Sequence, residues 1–128
     1  MTIVPQSLFH MRTTAALVLL LLPFAGSAPQ AADARDAAKQ QVEFGIAVAS
    51  RGLWREAIYR WQRAVELDPT YAEAYNDLAI AYEHEGEFDK ARQAYEKALE
   101  LEPANAIIKQ NYELFKEIND RATGSDDR

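Results

Sequence analysis

Apolar residues follow two different patterns along the chain. Every residue from Ala15 to Leu22 is apolar. Beyond residue 38, apolar positions recur at spacings of three and four residues with charged residues between them, which is typical of amphipathic helices. This second pattern predicts two pairs of helices, at residues 38–71 and 72–105, followed by a single helix at residues 106–121.

The two predicted helix pairs are copies of one another, offset by 34 residues. The segment Arg51–Ala57 corresponds to Glu85–Ala91. Other matched pairs are Gly45 and Ala79, Gly52 and Gly86, Trp61 and Tyr95, and Pro69 and Pro103. A repeat of this length predicts stacked units, none of which buries its apolar face alone.

The residue types at the repeated positions predict how each pair folds. Gly52 and Gly86 are expected to end the first helix of each pair, because glycine commonly follows a helix in the left-handed region. Pro69 and Pro103 are expected to end the second helices. Small residues should mark the close helix contacts: Gly45, Ala57, Ala64, Ala79, Ala91 and Ala98. Large residues should fill the space between helices: Phe44, Trp61, Leu78, Tyr82 and Tyr95.

This pattern resembles the tetratricopeptide repeat family, whose signature combines large, small and aromatic residues at fixed offsets with a closing proline. The second copy is close to the signature, whereas Gln41 and Val48 depart from it in the first. The resemblance implies an all-α fold of two stacked helix-turn-helix repeats. It covers residues 38–105.

The helix predicted at 106–121 is expected to cap the array. Asn105 is a suitable N-cap. Two adjacent apolar stripes follow it, the first formed by Ile107, Leu114 and Ile118 and the second by Ile108, Tyr112 and Phe115. We therefore predict one helical domain at residues 33–121 and a disordered tail at 122–128. Because such arrays usually need about three repeats, either the cap suffices, the protein pairs with itself, or a partner covers an apolar face.

The apolar N-terminal stretch has the features of a signal peptide, assigned to residues 1–32. It is too short to span a bilayer as a helix, Arg12 precedes it, and small residues follow it. A retained anchor and a buried helix of the fold are the alternatives, and translation starts at Met1 or Met11. Since no cysteine is available for a lipid, we predict a periplasmic or secreted protein that is not a lipoprotein, with membrane attachment only if the signal is retained.

Composition narrows the functional classes. The net charge of −6 argues against nucleic-acid binding, and the absence of cysteine excludes thiolate chemistry. No phosphate-binding loop or catalytic motif occurs. His84 lies among acidic residues, which would suit either a metal or acid–base site or a solvated turn, and the turn is favoured. We predict no enzyme, no metal and no cofactor.

Protein or peptide binding is the functional class left after these arguments. The resemblance implies a peptide groove lined by the first helix of each repeat. By position, its residues would be Lys39, Val42, Ile46, Asn76, Ile80 and Glu83, with Ala49, Ser50 and His84 beside them and Glu73 near the edge. An apolar or amphipathic segment with some basic character would suit such a surface, unless residues before Ala38 cover Val42 and Ile46. The predicted function is an exported adaptor that binds a protein or peptide in the bacterial cell envelope. The alternative is a self-associating module whose capping helix forms a homo-oligomer contact.

Overall fold

The computed structural model describes residues 30–124, and all regular structure within them is helical. The five helices are α1 (Ala31–Ala49), α2 (Trp54–Leu67), α3 (Ala72–His84), α4 (Phe88–Leu101) and α5 (Ala106–Gly124). They stack as two antiparallel pairs, α1–α2 and α3–α4, with α5 packed behind the second pair. The predicted all-α repeat architecture is confirmed. Most of the predicted signal peptide lies outside the described residues and stays a prediction.

The turn inside each pair is built on a glycine, as the sequence predicts. Gly52 and Gly86 have φ values of 77° and 74°, in the left-handed region that side chains other than glycine rarely adopt. After α1, the amides of Gly52 and Leu53 donate to the carbonyls of Ala49 and Val48 at 2.8 and 3.1 Å. The second pair repeats these bonds. This glycine-based motif satisfies the last carbonyls of each first helix.

The repeated small residues lie where the helices meet. Five alanines are fully buried at these contacts: Ala57, Ala64, Ala79, Ala91 and Ala98. Gly45 is also buried, because the indole of Trp61 lies against its backbone and donates from Nε1 to the Val42 carbonyl at 3.2 Å. In the second pair Tyr95, 1% exposed, takes the place of Trp61. Small and large residues therefore alternate across each helix pair.

The prediction that Phe44 packs between the helices is wrong. Phe44 is 47% exposed, and the guanidinium of Arg60 lies 4.2 Å from its ring centre. Its counterpart Leu78 is buried. The two residues differ because α1 is the first helix of the described array, whereas α3 packs on α2 on one side and on α4 and α5 on the other.

The capping helix begins where the sequence places it. The side-chain oxygen of Asn105 accepts hydrogen bonds from the amides of Ile107 and Ile108 at 3.1 and 3.2 Å, which confirms the predicted N-cap. Within the described residues the helix extends to Gly124, past the predicted end at residue 121, because residues 120–122 contain no helix breaker. The remainder of the predicted tail, residues 125–128, lies outside the described residues.

Only one of the two apolar stripes of α5 faces the core. Phe115 and Ile108 are each 2% exposed, and the rings of Tyr95, Tyr112 and Phe115 pack with centres 5.5 to 6.2 Å apart. The other stripe, formed by Ile107, Leu114 and Ile118, is 55–68% exposed. The helix therefore closes the core of the second repeat and presents a new apolar face to solvent.

Candidate functional site

An open groove of about 420 Å³ lies on the face formed by α1, α2 and α3. Ile46 and Ala49 contribute from α1, Trp54 and Trp61 from α2, and Asp77 and Ile80 from α3. Its surface is largely apolar, with the single acidic side chain of Asp77 among its lining residues. A concave apolar surface with few polar groups is the usual form of a binding site.

Two of the six predicted groove residues line this groove. Ile46 is 49% exposed and faces Ile80 across it. Lys39 is exposed on α1 but lies outside the lining. Glu83 is half-buried on α3, where its carboxylate accepts a hydrogen bond from the hydroxyl of Tyr95.

The structure corrects the other two groove predictions. Val42 is 2% exposed and belongs to the main core cluster, so its side chain is not available to a ligand. Asn76 is 7% exposed, because its side-chain oxygen accepts a hydrogen bond from Asn111 of α5 at 3.0 Å. The repeat position alone therefore assigned Val42 and Asn76 to the groove incorrectly, because neighbouring helices cover both side chains.

Three lining residues were missed by sequence reasoning. The sequence predicts Trp61 as a core residue between helices and places Trp54 in the repeated segment Arg51–Ala57, yet both border the groove. The ring of Trp54 also stacks on His84 at 3.8 Å between ring centres, with the planes 9° apart. No motif of the sequence singles out Asp77. Its position one helical turn after Glu73, on the helix predicted to line the groove, was the available signal.

Asp77 has an incomplete set of hydrogen bonds. One carboxylate oxygen accepts from the Asn76 amide at 3.5 Å, which is long for such a bond. The other oxygen is inaccessible to solvent and receives no protein donor. Burial, followed by the charge of Glu73, raises the pKa of Asp77 to about 7. The groove therefore contains a carboxyl group that is poorly compensated by the protein around it.

The two glutamates on either side of Asp77 along α3 are differently placed. Glu73 accepts a hydrogen bond from the hydroxyl of Tyr71 at 2.9 Å, and burial followed by this bond raises the pKa of Tyr71 to about 12. Glu83 is held by Tyr95, whose pKa burial and the same kind of bond also raise. Of these three acidic side chains, Asp77 is the one with an unsatisfied oxygen.

The acidic turn around His84 shows no arrangement for a metal. Within residues 30–124, no three histidine or carboxylate side chains come together in a group that could hold an ion. His84 is exposed at the end of α3, and its ring stacks on Trp54.

Comparison with known families identifies the repeats. Residues 72–105 match the family described as "Tetratricopeptide repeat", and residues 45–85 match the family described as "TPR repeat". Residues 45–105 are therefore similar to tetratricopeptide repeats.

Two of the curated relatives are assembly proteins by name. The chain is 34% identical over 83 residues to the type IV pilus assembly protein PilF of Pseudomonas aeruginosa, covering 65% of this chain and 32% of that one. It is 30% identical over 82 residues to the photosystem I assembly protein Ycf3 of Rippkaea orientalis, covering 53% of this chain and 47% of that one. The chain therefore spans less than half the length of these relatives.

A solved structure confirms the arrangement of the helices. The crystal structure of MamA superposes with a TM-score of 0.61 at 33% identity, covering 68% of this chain and 50% of that one. Tetratricopeptide repeat arrays of this kind are typically protein-binding scaffolds without catalytic activity. None of the helices formed by residues 30–124 combines the length and apolar character needed to cross a bilayer.

Proposed function

We propose that this tetratricopeptide repeat protein is an exported adaptor that holds a segment of a partner protein in the groove between α1 and α3. One observation carries the proposal: the groove is open and mainly apolar, and Ile46 is left half-exposed at its edge. Burying such side chains against a partner would remove apolar surface from water. The assembly roles named for PilF and Ycf3 support this class of function.

The cell envelope of a bacterium is the proposed location. The support is the signal-peptide pattern of residues 1–32, with Arg12 before an apolar core and small residues after it, together with the relative from Pseudomonas aeruginosa. N-terminal sequencing of the protein recovered from fractionated cells tests this directly. A mature chain that begins after the apolar core supports export, and an intact N-terminus in the cytosolic fraction contradicts it.

Site-directed photo-crosslinking tests the groove itself. A photoreactive phenylalanine analogue replaces Ile46 in one variant and Tyr59 in the control, because the two positions are 49% and 52% exposed and only Ile46 lines the groove. We expect one defined protein adduct in source cells at position 46 and none at 59. Equal adducts from both positions, or none from position 46, would contradict groove binding.

The exposed stripe of α5 supports a second candidate function, self-association. Ile107, Leu114 and Ile118 form a contiguous apolar face, and such faces often mark contacts between proteins. Light scattering across a range of concentrations tests this candidate. A mass that rises with concentration and returns to the monomer value in Leu114→Lys supports self-association, whereas a constant monomer mass excludes it.

A further inference from the structure

We infer that Asp77 selects an arginine side chain of the partner segment, which enters the groove and pairs with this carboxylate. The inference rests on the proposed function, because it specifies what the adaptor groove recognises. The arrangement that carries it is a carboxylate with an unsatisfied oxygen on the wall of an otherwise apolar groove.

The protein leaves a donor missing at this position. A buried polar oxygen without a hydrogen bond is costly, and Asp77 has one oxygen of this kind. Glu73 and Glu83, on the same helix, each receive a tyrosine hydroxyl. A ligand that brings N–H donors through the groove would complete the hydrogen bonds of Asp77.

No cation among the described ion pairs supplies that donor. The basic residues of α1 are Arg35, which pairs with Asp68 at 2.5 Å, and Lys39, which lies outside the lining. The pKa of Asp77 agrees with the absence of a paired cation, because burial and the adjacent charge of Glu73 raise it. A basic side chain of the partner can therefore supply the missing donor.

Arginine fits the groove better than other donors. Its aliphatic stem can lie on Ile46 and Ile80 while its charged end reaches a carboxylate. The guanidinium is more weakly hydrated than an ammonium group and bonds carboxylates through two parallel N–H groups. Because the unsatisfied oxygen is inaccessible in the free protein, the carboxylate of Asp77 has to rotate toward the groove to meet both N–H groups, and the broad terminal torsion of aspartate permits a partial rotation of this kind.

Two capped pentapeptides test the inference: acetyl-Ala-Leu-Arg-Leu-Ala-amide and the same peptide with citrulline, a neutral near-isostere, in place of arginine. Each is titrated into the ¹⁵N-labelled protein, and amide shifts of Ala49, Asp77 and Ile80 are followed. We expect the arginine peptide to bind about tenfold more tightly, as for a hydrogen bond to a charged group. Asp77→Asn should reduce this ratio to near one.

Glu43→Gln is the matched control variant, because Glu43 stands 34 residues before Asp77 at the same repeat position and is exposed outside the groove. It removes the same charge and should keep the tenfold ratio. Equal binding of the two peptides to the unmodified protein, or an unchanged ratio in Asp77→Asn, overturns the arginine assignment and leaves the groove standing. If neither peptide shifts the groove resonances at millimolar concentration, both the assignment and peptide binding in the groove are overturned.

Discussion

Replacement of Gly45 by alanine should destabilise the protein even though alanine is the better helix former. Gly45 lies inside α1, where the exchange would ordinarily gain about 1 kcal/mol of helix propensity. A Cβ atom at this position, however, would lie 2.7 Å from Cε2 and 2.8 Å from Cδ1 of Trp61. Trp61 is 3% exposed and fixed by its bond to the Val42 carbonyl, so the indole has little room to move.

The expected loss is about 1–3 kcal/mol of unfolding free energy. Overpacking of a filled core costs about 1–3 kcal/mol. Displacement of the indole from the Val42 carbonyl adds about 1 kcal/mol, and the propensity gain offsets a similar amount. A net loss of about 2 kcal/mol would lower the Tm of a domain of this size by about 8–16 °C.

The second repeat supplies the control for this prediction. There the same two positions hold Ala79 and Tyr95, both buried, so alanine is accommodated beside a tyrosine ring. We therefore expect Gly45→Ala to be destabilising in the parent and neutral or stabilising in a Trp61→Tyr background. The four proteins are compared by urea unfolding followed by circular dichroism, and the cycle gives the coupling energy. A stabilising effect of Gly45→Ala in both backgrounds would refute the close approach.

Three other substitutions have predictable effects. Asn105→Ala should lower the unfolding free energy by about 1 kcal/mol through loss of the α5 cap, while Asn105→Asp should retain most of it; urea midpoints measure both. Gly86→Ala should cost about 1–2 kcal/mol of unfolding free energy because φ is 74° there, and not because of a clash, since no atom lies within 4 Å of the new Cβ. Asparagine tolerates this backbone conformation better than alanine, so Gly86→Asn should cost less. Equal losses in the two variants in the same urea assay would argue against a backbone origin. For Asp77, the folded pKa of about 7 lies above the ordinary value near 4, so its contribution to stability is greatest at low pH and is lost as pH rises from about 4 through 7. Asp77→Asn should accordingly stabilise the protein more at pH 8 than at pH 5, by about 1 kcal/mol after screening, and thermal melts that show no such dependence would contradict the buried-carboxyl assignment.

The features predictable from the sequence are those fixed by local chemistry. The positive φ values of Gly52 and Gly86, the cap at Asn105 and the burial of the repeated alanines each depend on a residue type and its immediate neighbours. The 34-residue offset then determines which helices pair. These features appear in the structure at the predicted positions.

The groove was only partly predictable, because the exposure of a residue depends on which helices lie beside it. Val42 and Asn76 occupy the same repeat position and were both assigned to the groove, yet one lies in the core and the other is covered by Asn111 of α5. Trp54 and Asp77 are groove residues because α1 and α3 leave a gap between them. That gap depends on the packing angle of the helices, for which the repeat pattern has no marker.

The charge of the groove is one-sided, and this follows from the difference between the repeats. Residues 38–71 carry a net charge of +1, whereas residues 72–105 carry −6. Tyr71 and Tyr95 satisfy the hydrogen bonds of Glu73 and Glu83 but bring no positive charge. The wall formed by α3 therefore keeps its negative charge, with Asp77 at the point where that wall meets the apolar surface. Such an arrangement favours a partner that is apolar along most of its contact and basic at one position, because the apolar contact supplies binding energy and the buried carboxylate discriminates against segments that lack the cation.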